Sequence, residues 1–139
     1  MSFMFLDRDQ NHLFPPSPSD LLPDNHLAKF VVMIVDLLNI APIISKYASH
    51  GKDAYPPSML LSLLIYSYIT GVFSSRAIER QTYDSISYMY ICCYTHPDHS
   101  TISDFRKRFA PEIAGLFNQV LGIAQEAGVM DLGTVFLDG

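Results

Sequence analysis

Apolar positions recur at helical spacing from residue 27 onward. Leu27, Phe30, Val31, Ile34, Val35 and Leu38 follow the three-and-four rhythm of one helix face, which predicts an amphipathic helix from about Asp24. Pro42 is expected to end or kink it, because proline has no N–H and crowds the preceding turn. Ile43 to Ala48 predict a short second helix, stopped near Gly51. Pro56-Pro57 suits a helix start, where the first N–H groups lack helical partners in any case. Met59 to Ile69 is apolar on nearly every face, so this helix is expected at the buried centre. Gly71 is its natural stop, and Ser74 or Ser75 can cap a further helix through Thr82. Ile86 to Cys92 forms another short segment. His96-Pro97-Asp98 reads as a turn and Ser100-Thr101 as the start of a helix reaching Phe109. Pro111 opens a long amphipathic helix with Ile113, Leu116, Phe117, Val120, Leu121 and Ala124 on one face, ending at Gly128. Over Gly133 to Asp138 the period shortens to alternation, which predicts a buried strand ending in an acid. Residues 1–23 carry Pro15, Pro16, Pro18 and Pro23 without a sustained period and read as an extended arm. The expected fold is mainly α: a multi-helix domain over residues 24–130, with a helix-turn-helix-like element, followed by a strand in 131–139.

Composition narrows the class. Hydrophobic residues make up 49% of the 139 and charged residues 17%, against roughly 25% charged in an average soluble domain. A disordered chain is excluded, and apolar surface is left over for a partner. Mean hydropathy is +0.18, so membrane insertion has to be weighed. Phe30 to Ala41 is interrupted by Asp36 and Asn39, and Met59 to Ile69 is only 11 residues long, short of the roughly 20 needed to span a bilayer. The start, MSFMFLDRDQ, lacks the basic and apolar regions of a signal peptide. No membrane partner and a cytoplasmic location are expected. Adjacent Cys92 and Cys93 cannot build a disulfide framework.

Four clusters carry candidate chemistry. Around the helix that follows His96, a wheel of 100° per residue puts Ile102, Phe105 and Phe109 on one side. Ser103, Asp104 and Lys107 lie opposite, with Thr101 and Arg108 on one flank and Arg106 on the other. Early hydroxyls, from Ser100 on, and late cations suit a recognition helix, with Lys107 and Arg108 holding phosphates; an ordinary solvated face is the structural alternative. In Ser74-Ser75-Arg76-Ala77-Ile78-Glu79-Arg80, Arg76 and Arg80 share a face and could grip one phosphate strand. The alternative there is a capped helix with a Glu79–Arg76 pair worth a few tenths of a kcal/mol, ~0.3. Cys92, Cys93, His96, Asp98 and His99 invite a zinc reading, but the paired spacings of a structural site are missing, and buried thiols beside a polar turn fit better. Asp138 closes an apolar strand, a common place to hold Mg²⁺, although a lone carboxylate cannot build a two-metal site.

These features, in this order, resemble the N-terminal region of bacterial insertion-sequence transposases of the DDE class, in which a helical domain precedes a ribonuclease H-like catalytic domain. The matching stretches are Tyr55-Pro56-Pro57-Ser58-Met59-Leu60-Leu61, Gly71 with Ser74-Ser75-Arg76-Ala77-Ile78-Glu79, Pro97-Asp98-His99-Ser100-Thr101-Ile102-Ser103 with Phe105-Arg106-Lys107-Arg108, and Val135-Phe136-Leu137-Asp138-Gly139. They span roughly residues 20 to 139. The resemblance implies a DNA-binding and interaction module that positions the ends of a mobile element during transposition. It implies DNA contacts from Arg76, Arg80, Ser100, Thr101, Ser103, Arg106, Lys107 and Arg108. It also implies that Asp138 is the first carboxylate of a triad holding Mg²⁺ in a full-length enzyme. The second aspartate and the glutamate would lie beyond residue 139. The chain therefore reads as a truncated or frameshifted transposase, or as an N-terminal piece cut deliberately from one, that has no cofactor of its own and is not catalytic by itself.

Charge complicates DNA binding. The net charge is −5 and the pI near 5.3, where a DNA-binding domain often exceeds 9. Residues 76–108 hold five basic and four acidic side chains, while the segments on either side are negative, at −2 and −4. The motif-bearing stretch is thus the part that is not acidic. Two alternatives remain open: a protein-interaction or dimerisation module of a transposase, or a truncated transposase acting as a regulator.

Overall fold

The computed structural model describes residues 3–5, 7–9, 16–47 and 55–128. Among the described residues the regular elements are helices: α1 (Pro18–Leu21), α2 (Leu27–Leu37), α3 (Ala41–Tyr47), α4 (Pro57–Ile69), α5 (Ser75–Asp84), α6 (Ile86–Cys92), α7 (His99–Arg108) and α8 (Ala110–Glu126). The strand expected over 133–138, and Asp138 with it, lie outside the described residues.

The all-round apolar segment becomes the axis of the domain. Leu60, Leu61, Leu63, Leu64, Ile65, Tyr66 and Ile69 of α4 are all buried, and the helix packs against α2, α3, α6 and α7. A helix apolar on every face has to be surrounded on every side. Ser67 sits in this interior because its Oγ donates to the Leu63 carbonyl at 2.7 Å, which satisfies the hydroxyl within the helix. The helix then stops in a Schellman motif. Val72 N–H donates to the Ser67 carbonyl at 2.8 Å and Gly71 N–H to that of Tyr68 at 3.3 Å. Gly71 takes φ +83°, open to it because it has no Cβ.

Amphipathic helices cover this axis. α2 buries Ala28, Val31, Ile34 and Val35 against α4 and α6, and α8 buries Ile113, Leu116, Val120, Leu121 and Ala124. Phe109, fully buried at the joint of α7 and α8, has its ring centroid 5.1 Å from that of Phe105 and 6.3 Å from that of Tyr47. Among the described residues no single helix is long and apolar enough to cross a membrane.

Three local expectations change. Pro42 neither ends nor kinks α2. That helix stops at Leu37, and Pro42 occupies the second position of α3, where its missing N–H costs nothing, while the Asn39 side chain accepts from Ala41 N–H at 3.1 Å. The axes of α2 and α3 differ by 80°. The extended arm over 1–23 gives way at 18–21 to a helical turn. There Ser17 and Asp20 cap each other's backbone N–H, Pro18 fills the first helical position, and α1 lies against α6. Lys29 clamps this turn by donating to the Ser19 and Leu22 carbonyls at 2.7 and 3.1 Å. Finally, α7 begins at His99, because Asp98 rather than Ser100 is its cap.

Candidate nucleic-acid interface

The candidate residues lie on two antiparallel helices, α5 and α7, and each has a side-chain cap at its start. Ser74 Oγ accepts from Ala77 N–H at 3.0 Å, and Asp98 Oδ1 accepts from Thr101 N–H at 2.7 Å. That backbone hydrogen bond holds the Asp98 carboxyl below its ordinary range, since it favours the charged form. The three adjacent cations Arg106, Lys107 and Arg108 fall in the last turn of α7, where they complement the negative end of the helix.

Two ties lock the helices together. Glu79 on α5 accepts from the His99 backbone N–H at 2.7 Å and from His99 Nδ1–H at 3.0 Å. These two hydrogen bonds, the side-chain one first, hold the Glu79 carboxyl below its ordinary range. At the other end Arg106 donates to the Phe73 carbonyl at 2.6 Å and to Ser75 Oγ at 2.5 Å. Glu79 is therefore engaged with α7 and not paired with Arg76, as helical spacing alone suggested.

Between the ties runs an open groove lined by Ser74, Arg76, Ser100, Ser103, Asp104 and Lys107. It continues along α5 into a second one lined by Arg76, Glu79, Arg80, Tyr83 and His99. Five of the residues singled out from sequence thus share this face: Arg76, Arg80, Ser100, Ser103 and Lys107. Among the described residues the side chains of Arg76, Arg80 and Lys107 have no hydrogen-bond or ion-pair partner. Arg106 is different, because both ends of its guanidinium are spent on the joint before α5. Thr101 and Arg108 lie on the other flank of α7, beside Tyr47, Leu60 and Phe105. There Arg108 donates to the Lys46 carbonyl and sits 4.9 Å from the Phe109 ring centroid.

The cysteine–histidine cluster spreads apart. Cys92 is buried, and desolvation pushes its thiol up to about 12, whereas Cys93 is exposed at the left-handed end of α6. His96 turns to Thr82 and His99 to Glu79.

Tyr83 is not among the residues singled out by spacing, and His96, a turn residue and candidate metal ligand by sequence, has a different partner here. Their rings are stacked, with centroids 3.8 Å apart and planes 5° from parallel. Tyr83 follows Arg80 by three and Arg76 by seven, the register of one helix stripe, so that half of the pair was available from spacing. Its contact with His96 crosses two loops and was not.

Neither a curated protein nor a solved structure matches the chain. The family model described as Transposase domain (DUF772) matches residues 16–108, two thirds of the sequence, and takes in α1 through α7 with both ties of the groove: the chain belongs to this transposase-domain family.

Proposed function

We propose that the α5–α7 face is the part of a transposase that holds DNA, with α7 as the recognition element of a helix-turn-helix-like unit and α5 beside it as the phosphate-gripping helix. The observation that carries this reading is the groove in which Arg76, Arg80 and Lys107, without partners among the described residues, stand beside the hydroxyls of Ser74, Ser100 and Ser103. Cations left unpaired in a folded domain whose other segments are acidic are suited to phosphate oxygens, and short hydroxyls reach backbone oxygens or base edges. Asp104, in the same groove, opposes indiscriminate phosphate binding. On the resemblance described above, Asp138 would be the first carboxylate to hold Mg²⁺ in a full-length enzyme.

The test is a fluorescence-anisotropy titration of the 139-residue chain with labelled duplex at several salt concentrations. The logarithm of affinity is expected to fall linearly with the logarithm of salt, with a slope near −0.9 per phosphate neutralised. Lys107→Ala should remove about one unit of that slope, and Thr101→Ala none. Absence of binding even at about 50 mM salt would reject the reading.

A second reading, a module that packs on a partner protein, rests on Met33 and Leu37. They stand one turn apart on α2 and are 50% and 76% exposed. Concentration-dependent self-association in sedimentation, lost in Leu37→Lys, would favour it.

A further inference from the structure

We propose that the stacked pair Tyr83–His96 is a platform for an unpaired nucleobase at the end of the DNA duplex held by α5 and α7, an inference that rests on the DNA-holding role of that face. Three observations meet at this spot. First, one face of Tyr83 is covered by His96, yet the residue is 55% exposed, so the area open to solvent belongs to the ring's other side and edge. Second, the pair is fixed before any ligand arrives. Thr82 Oγ1 donates to the Glu79 carbonyl at 2.6 Å, which leaves it to accept from His96 Nδ1–H at 3.1 Å, and Pro97 after it is buried. Third, Tyr83 lines the same groove as Arg76 and Arg80, on the same stripe of α5.

An aromatic face held rigid beside two unpartnered guanidinium groups has the make-up of a single-strand site: stacking for the base, cations for the adjoining phosphates. Stacking tolerates any base, because each has a π-face, so the site selects for unpaired structure rather than for sequence. Paired bases inside a duplex present only their edges in the grooves and cannot cover a ring face. The substrate class is therefore a duplex end with a single-stranded extension or a frayed terminal pair. The acid lining this stretch, Glu79, has its Oε1 turned to His99 by two hydrogen bonds, while Arg76 and Arg80 line the same groove.

The experiment compares a blunt duplex with the same duplex carrying a short single-stranded extension that contains 2-aminopurine, both titrated with the full chain at low salt. The extended duplex is expected to bind about 5- to 150-fold tighter, the ratio that one stacked base supplies, and 2-aminopurine emission should be quenched on binding. Tyr83→Ala should erase both effects, so that the two duplexes bind alike, and Tyr83→Phe should retain them. Circular dichroism of each variant checks that the fold is kept. Equal affinity for the two duplexes, unquenched emission, or a Tyr83→Ala variant that behaves like the parent overturns the platform, and the DNA-holding face survives if the blunt duplex is still bound with a salt-dependent slope. If the parent binds neither duplex, the face and the platform fall together.

Discussion

The Glu79 carboxylate grips the first residue of α7 twice, taking the His99 backbone N–H at 2.7 Å and its Nδ1–H at 3.0 Å from one and the same oxygen. A donor that α7 cannot satisfy internally is thereby met by α5, and the groove between the two helices acquires a fixed width. The same contact makes folding sensitive to acid. Glu79, Asp98 and Glu112 all titrate below their ordinary values in the folded chain: Glu79 through His99, Asp98 through the Thr101 backbone, Glu112 through Lys46 at 2.8 Å. A carboxyl with a depressed folded pKa contributes stability above its unfolded value and loses it as pH falls through the folded one. Thermal stability is therefore expected to be level from neutrality down to about pH 5 and to fall below that. Glu79→Gln should flatten the acid limb in a melting series followed by circular dichroism, and an unchanged limb would count against the clasp.

At the alkaline end the sign reverses. Burial raises Cys92 from 9.0 to about 12, and burial also raises Tyr88 above 10.0. Groups with raised folded values give stability that is complete below the unfolded pKa and lost as pH climbs toward the folded one. Stability should decline between about pH 9 and 12, and Cys92→Ala should show a shallower decline over that window.

Leu64 is 1% exposed in the middle of α4. Leu64→Ala is expected to cost roughly 2–5 kcal/mol in urea denaturation, the range for a truncation that leaves a cavity in a packed interior. A cost under about 1 kcal/mol would mean that α4 is not the axis of the domain.

Two neighbouring cations should separate cleanly. Arg106→Ala removes the two hydrogen bonds that tie α7 to Phe73 and Ser75 and should destabilise the fold by about 1.5–3 kcal/mol. Lys107 has no partner among the described residues, and Lys107→Ala should leave stability within about 0.5 kcal/mol while weakening DNA binding. Paired urea and DNA titrations of the two variants check this, and the opposite pattern would exchange their roles.

Cys93 holds φ +52° at the end of α6, a left-handed conformation that costs an L-residue roughly 1–2 kcal/mol. Cys93→Gly removes that strain but adds freedom to the unfolded chain, typically about 0.4–1 kcal/mol. A net gain of about 0.5 kcal/mol is expected in the same urea assay. A loss would show that the thiol makes a contact worth more than the strain.

How legible each part was from sequence follows from the range of the forces involved. Helix α4 could be read directly, since a run apolar on every side has to be buried whatever surrounds it, and the stop at Gly71, the cap at Ser74 and the apolar stripes of α2 and α8 obey rules that act within a turn or two. The pairing of Arg76 with Arg80 on one face is local in the same sense. Assigning roles to the other cations was not local. Helical spacing puts Lys107 opposite the apolar face and Arg106 on a flank, but it does not say which of them is engaged; that depends on whether the carbonyl of a residue 33 positions earlier has been folded beneath the guanidinium. Pro42 was misjudged for a related reason, because a proline that ends one helix and a proline that opens the next look alike until the chain's bend is known. The clasp of Glu79 on His99 and the stack of Tyr83 on His96 join residues 20 and 13 apart across a six-residue turn and a short helix. Contacts of that kind are settled when α5 and α7 pack side by side, and packing is a property of the whole core rather than of the segments that meet there.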